Sequence, residues 1–158
     1  MLRMSKLADY GTVVMTYLAQ EPERVQSALE ISSAVGLELP TVSKLLKMLS
    51  HGKLLVSQRG SKGGYMLARN PRGISLAEII DAIEGYPMGL TECSSVHGLC
   101  TRESSCSVRT NWQRISQVIR DTLRQVTLAD LARPLPQTID IGTIHHVAAR
   151  QQEISIQG

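Results

Sequence analysis

The stretch "LLVSQRGSKGGYMLAR", residues 54–69, decides the fold. Leu54 to Gln58 reads as an extended segment and Tyr65 to Ala68 as its return, while Gly60, Gly63 and Gly64 permit positive φ at the tip. The result is a β-hairpin with Arg59 and Lys62 at its end. It is not a nucleotide-binding loop, because no helix starts behind the glycines and the Walker and dinucleotide spacings are absent.

Upstream of this hairpin the pattern is helical. Leu7, Tyr10, Val14, Tyr17 and Leu18 recur at helical spacing from a start near Ser5, and Pro22 ends the run. A second, short helix opens at Ser27, which stands three residues before Glu30 in the capping-box arrangement, and stops at Gly36. A third starts with Pro40 and gathers Val42, Leu45, Leu46 and Leu49 on one face before Gly52, leaving Thr41, Ser43, Lys44 and Lys47 to point outward. Two short helices joined at Gly36 and Leu37, followed by a hairpin, predict a winged helix-turn-helix, in which the second of the pair enters the major groove. From Leu39 to Ala77 there is no acidic residue, whereas Lys44, Lys47, Lys53, Arg59, Lys62, Arg69 and Arg72 supply seven cations, on a chain whose net charge is only +3. A solvated basic face would read the same way on charge alone. With the wing beside the third helix, a polyanion, and double-stranded DNA first, is the expected partner, Arg59 and Lys62 meeting phosphate or the minor groove.

Downstream, Ser75 opens a fourth helix through a second capping box with Glu78, Ile74 and Ile79 are placed to form its hydrophobic staple, and Gly85 closes it. Residues 86–108 then show no apolar periodicity and hold every cysteine of the chain, in "CSSVHGLCTRESSC". Beyond them Trp112, Ile119 and Val126 fall seven apart with Ile115 and Leu123 between, and Arg114, Gln117, Arg120, Asp121 and Arg124 are expected to face away. That is a narrow seam suited to a partner helix in a homodimer. The tail from residue 133 has no clear period, and its His145 and His146 are expected to be simply exposed.

The opening residues "MLRMSKLADYG" carry charges and no continuous apolar run, so neither a secretion signal nor a membrane span is expected, and the reading is cytoplasmic. In a reducing compartment structural disulfides are disfavoured, and three thiols leave one over. The C-x6-C-x5-C spacing of Cys93, Cys100 and Cys106 is long for zinc, whose ligand pairs sit closer. Spaced soft thiolates suit an iron–sulfur cluster, with one iron left for another donor. Candidates for that donor are His97, Glu92, Glu103 and Asp9, the last of which also suits the first turn of a helix without any metal. No catalytic constellation is visible, so an enzyme is not expected.

Taken together, "LADYGTVVMTYLA", "ISSAVGLELPTVSKLLKMLSHGKLLVSQRGSKGGYMLARNPRGISLAEIIDAIEG", the three cysteines and "NWQRISQVIRDTLRQVTLADL" resemble the Rrf-two family of bacterial transcription regulators, of the IscR, NsrR and SufR types, over about residues 1–132. The "CSSVHGLC" spacing, "LTEC" and "NWQRI" look most like the group associated with the SUF iron–sulfur assembly operon. The resemblance implies a mainly α fold with a small β-hairpin wing and a long dimerisation helix. Its divisions are a DNA-binding domain over residues 1–85, a cluster loop over 86–108, the dimerisation helix over 109–132 and a flexible tail over 133–158. It implies a homodimeric, DNA-binding repressor whose [2Fe–2S] or [4Fe–4S] cluster senses cluster status or oxidative and nitrosative stress. By the same resemblance Cys93, Cys100 and Cys106 are cluster ligands, Asp9 of the other subunit completes the set, and Thr41, Ser43, Lys44 and Lys47 lie on the recognition helix with Arg59 at the wing. Some relatives carry a ligating histidine three residues after the last cysteine, where this chain has Arg109, which stays protonated. The alternatives are a nitric-oxide-sensing repressor of the same family, an iron–sulfur carrier or delivery protein without specific DNA binding, and a DNA-binding protein whose thiols hold zinc or form a switch.

Overall fold

Ser5 starts the first helix, its hydroxyl accepting the Ala8 N–H at 3.1 Å, and α1 runs Lys6–Leu18. The computed structural model describes residues 4–60, 62–98 and 100–133. α1 buries Ala8, Val14, Met15 and Leu18. Its Gly11 faces a later helix so closely that a Cβ there would lie 2.9 Å from Ile83 Cγ1, and it is the missing side chain that permits this approach.

The predicted capping box of α2 (Ala28–Val35) is formed, with Glu30 N–H donating to Ser27 Oγ at 3.2 Å and Ser27 N–H to Glu30 Oε2 at 2.7 Å. Gly36 then takes φ +67, a left-handed conformation that glycine adopts without steric cost, and Ser32 Oγ donates to Leu37 O at 2.6 Å across the turn. α3 (Leu39–His51) follows with Pro40 in its first turn and Val42, Leu45, Leu46 and Leu49 fully buried. Each such leucine contributes about 1.5–3 kcal/mol of burial free energy. The wing pairs β1 (Leu55–Gln58) with β2 (Gly64–Leu67) in antiparallel register, Leu55 opposite Leu67 and Gln58 opposite Gly64. It is clamped from below as well: Gln26 N–H donates to Tyr65 O at 3.0 Å and Tyr65 N–H to Gln26 O at 2.8 Å, joining β2 to the approach of α2.

α4 (Leu76–Glu84) carries the second capping box, between Ser75 and Glu78, and both staple residues Ile74 and Ile79 are fully buried in the core. Burial pushes the Glu78 carboxyl up, but hydrogen bonds from the Ser75 backbone and hydroxyl, together with Arg69, outweigh it and hold the group below its ordinary value. The cysteine segment, expected to be irregular, contains two single turns, α5 (Glu92–Ser95) and a 3-10 turn at Glu103–Ser105. α6 (Arg109–Gln125) and the one-turn α7 (Leu128–Leu131) end the described chain. The chain returns from α6 onto the start of α4 through Leu76 N–H to Val126 O and Leu128 N–H to Ile74 O, both at 2.8 Å, and plugs the fully buried Leu128 into the core. His145, His146 and the rest of the tail lie outside the described residues.

α6 departs from its expected orientation. The seven-residue seam divides: Ile119 and Leu123 turn toward α1 and α4, while Trp112 and Ile115, with Val108 and Val118, form an exposed apolar stripe. Arg120, expected to face away, points inward, and its Nη2 meets Asp81 Oδ2 on α4 at 2.6 Å. The reason is that the surface beneath α6 is polar, so a polar edge of the helix docks there. Among the described residues no helix is long and apolar enough to cross a membrane.

Candidate functional site

The basic segment folds into one surface of α3 and the wing. Lys44 and Lys47 are exposed on α3, whereas Thr41 and Ser43 on the same helix are half-buried. Arg59 and Lys62 are exposed at the wing tip, where Gly60 takes φ +116. Of the seven cations, Arg69 is neutralised by Glu78, but Lys44, Lys47, Lys53, Arg59 and Lys62 enter no ion pair among the described residues. Cations left unpaired keep their full charge for a polyanion and release its counterions on contact.

The three thiols are free and half-buried. What orders them is the backbone, because the carbonyl of each cysteine accepts a hydrogen bond. Gln113 Nε2 on α6 donates to Cys93 O at 3.3 Å, Glu103 N–H to Cys100 O at 3.1 Å, and Arg109 N–H to Cys106 O at 3.3 Å. Cys93 Sγ also lies 3.3 Å from Thr91 Oγ1. Among the described residues no three His, Cys, Asp or Glu side chains stand close enough to hold a single metal ion.

Two carboxylates tie this loop and its helix together. Glu103, nearly buried, accepts the Gly98 N–H on Oε2 at 2.6 Å, while its Oε1 lies 2.7 Å from Arg109 Nη2 and 3.5 Å from the exposed His97 ring. Asp81 accepts the Met88 N–H at 2.8 Å on one oxygen and faces Arg120 on the other. Between them Ser116, buried in α6, accepts the Leu90 N–H and donates to Ser94 Oγ, each at 3.0 Å. The thiol loop is thereby joined to α6, and α6 to the helix that backs the reading head. Glu92 is exposed, and Asp9 is exposed in the first turn of α1 with no cation paired to it among the described residues. A cleft of about 650 Å³ opens between Met4, Ile80, Tyr86, Met88, Ile119 and Leu123, next to the apolar stripe of α6.

The sequence reading missed Ser116, Arg120 and Asp81 as a connected set, and it named Glu103 only among the candidate metal donors, without its ion pair with Arg109. A usable signal was present in "NWQRISQVIR", where Gln113, Ser116 and Arg120 share one helical edge at spacings of three and four.

Comparison with known proteins agrees with this architecture. The chain is 27% identical over 133 residues to protein rrf2 of Nitratidesulfovibrio vulgaris, covering 84% of this chain and 88% of that one. Its structure is similar to that of CymR, the global cysteine regulator of B. subtilis, at a TM-score of 0.64 and 31% identity over 84% of this chain and 97% of the other. It is similar also to T. potens IscR, at a TM-score of 0.63 and 27% identity over 90% and 96% of the two chains. The profile of the Rrf2 family, described as an iron-dependent transcriptional regulator, matches residues 4–134. With a winged helix-turn-helix, a basic reading face and a family match across most of its length, the chain belongs to the Rrf2 family of transcriptional regulators.

Proposed function

We propose that this protein is a homodimeric repressor that binds double-stranded operator DNA and adjusts its grip according to whether its cysteine loop carries a [2Fe–2S] or [4Fe–4S] cluster. Iron–sulfur assembly genes are its targets and cluster supply, or oxidative and nitrosative stress, its signal. The observation that carries the reading is the three free, half-buried thiols, each with its carbonyl anchored, in a loop joined through α6 to a winged helix-turn-helix.

The donor set fits the group. A zinc ion at about 2.3 Å from each sulfur would need the thiolates gathered at one point, whereas in a cluster they bind separate irons and stand farther apart. Three free thiols separated by six and five residues along the chain suit a cluster better than zinc, whose ligand pairs sit closer in sequence. When bound, the cluster supplies iron–thiolate bonds that oxidants and nitric oxide can break. Cys93, Cys100 and Cys106 hold it, and Asp9 of a second copy completes its coordination. The apolar stripe of Val108, Trp112, Ile115 and Val118, beside the open cleft, is the surface onto which that second copy packs. Thr41, Ser43, Lys44 and Lys47 read the major groove from α3, and Arg59 and Lys62 hold phosphate or the minor groove from the wing. A tenfold change of operator affinity between the two loop states requires only about 1.4 kcal/mol of coupling.

Anaerobic purification with iron, sulfide and native-mass analysis, followed by operator binding with and without cluster, tests this. Three Cys→Ala variants should each lose iron, and holo and apo protein should differ in affinity. Equal affinities, or stoichiometric iron and sulfide in the variants, would overturn the sensing role. A cluster without specific DNA retention would identify a carrier instead. Lys44→Ala and Arg59→Ala should each reduce the salt slope of binding by about one.

A further inference from the structure

The geometry points to Glu103 and Arg109 as positioning residues that hold Cys100 and Cys106 in place before any metal arrives, with Glu103 acting as the clasp of the loop and not as a ligand. The inference rests on the reading of these cysteines as cluster ligands, but the clasp itself is a property of the metal-free chain.

Each of the two residues has a double role. Glu103 stands three residues after Cys100 and Arg109 three after Cys106, and the backbone N–H of each closes a turn on the carbonyl of its own cysteine, at 3.1 and 3.3 Å. Their side chains then meet at 2.7 Å, so two cysteine-bearing turns are pulled together by one ion pair. The second oxygen of Glu103 reaches Gly98 N–H at 2.6 Å, which, through the pair with Arg109, ties the turn before Cys100 to the start of α6. Gly98 presents that N–H from φ +88, a conformation that disfavours any side chain. Cys93 lies outside this arrangement, held by Gln113 and through Ser94 by Ser116.

Glu103 is well placed for this work and badly placed for ligation. Only about 7% of it is exposed; Oε2 accepts a backbone N–H, and Oε1, which has no hydrogen bond of good geometry among the described residues, is held at ion-pair distance by the Arg109 guanidinium. Moving it to iron would strand Arg109, whose Nε is buried and has no hydrogen-bond partner among the described residues. Charge-assisted hydrogen bonds are also the stronger kind, so a single carboxylate suffices to order a glycine- and serine-rich segment.

The test begins with reduced, metal-free full-length protein. In Glu103→Gln and Arg109→Gln, alkylation of Cys100 and Cys106 by iodoacetamide should accelerate about tenfold, because local opening of the clasp exposes both, while Cys93 keeps its rate. Hydrogen exchange at the Gly98 amide should accelerate in Glu103→Gln alongside. The same variants are then loaded anaerobically with ferrous iron and sulfide and challenged with a chelator. Both should lose iron faster than the parent while keeping its absorption spectrum, and the double variant should be no worse than either single one. Unchanged Cys100 and Cys106 rates in the metal-free variants would overturn the clasp. A spectrum altered by Glu103→Gln and untouched by Arg109→Gln would make Glu103 a ligand and overturn its positioning role. If the parent takes up no iron, the cluster reading fails by itself, and the alkylation pattern still decides whether the clasp exists.

Discussion

Replacing Gly64 by alanine should lift the wing from the body of the protein. A Cβ at this position would stand 2.3 Å from Gln26 O, 2.5 Å from Gln26 C and 2.9 Å from Ser27 N, all backbone atoms that have no rotamer to escape into. β2 must therefore move, and the bonds that suffer are the two that join Gln26 to Tyr65, at 3.0 and 2.8 Å. Each is worth about 0.5–1.5 kcal/mol net, so the expected loss is about 2 kcal/mol. For a chain of this size that corresponds to a fall in Tm of roughly 6 °C. The wing tip moves with β2, so the salt slope of DNA binding should fall as well, by about the one or two contacts that Arg59 and Lys62 provide. Gly73→Ala is the control, since its new Cβ meets only Arg69 Cδ at 4.0 Å. Thermal melting by circular dichroism and DNA retention across a salt series read both effects. If Gly64→Ala melts within about 1 °C of the parent and keeps its salt slope, the wing is not held where the structure puts it.

Three further outcomes are expected. Asp81→Asn and Arg120→Ala should each cost about 1–2 kcal/mol by urea denaturation, and the double variant should cost about 1 kcal/mol less than their sum; additive losses would mean the pair is uncoupled. The Glu78 carboxyl is held below its ordinary value of 4.5, so its contribution is present above that pH and is lost as the pH falls through the lower, folded-state value. Glu78→Gln, which keeps the capping box but not the charge facing Arg69, should be less stable than the parent at pH 7 by at most about 1 kcal/mol, and the gap should close in acid; a gap constant from pH 7 to pH 3 contradicts the assignment. Ile115→Glu should shift native mass from dimer to monomer with little change in the melting of the domain itself, since Ile115 is 46% exposed on α6, and a persisting dimer would place the interface elsewhere.

The reading head was legible because its signals are local. Ser27 with Glu30 and Ser75 with Glu78 announce helix starts within four residues, Gly36 announces a left-handed end, and the glycines of the wing mark a turn. The strand limits moved by about a residue because part of what holds β2 is Gln26, far back in the sequence. α6 was read as a single apolar seam turned toward a partner helix, with its polar residues facing away, and that reading presumes that no polar surface lies underneath. Here the surface consists of Ser94, the Leu90 N–H, the Cys93 carbonyl and Asp81, so Gln113, Ser116 and Arg120 turn in and Trp112 and Ile115 are left outside. The shared edge of Gln113, Ser116 and Arg120 was visible within α6, but not the surface that it meets, since the partners lie twenty to thirty-nine residues away. The cysteines were visible as a set, but the pairing of Glu103 with Arg109 depends on two turns folding toward each other.

The bridge where Leu76 N–H meets Val126 O and Leu128 N–H meets Ile74 O has a consequence for how the cysteine segment can vary. The bridge closes residues 76–126 into a ring of about fifty residues, in which α4 stays in the core and the cysteine segment is the part carried outside it. Closing such a ring costs entropy that grows only with the logarithm of its length, and ten added residues would raise the cost by about 0.2 kcal/mol. Closure entropy therefore sets little limit on the distances between Cys93, Cys100 and Cys106 along the chain, and what fixes them is local: the Gly98–Glu103–Arg109 contacts and the bonds from Gln113 and Ser116. Residues inserted between the thiols should accordingly leave the reading head folded while loosening those local contacts, so the spacing of the thiols can change without rebuilding the domain that carries them.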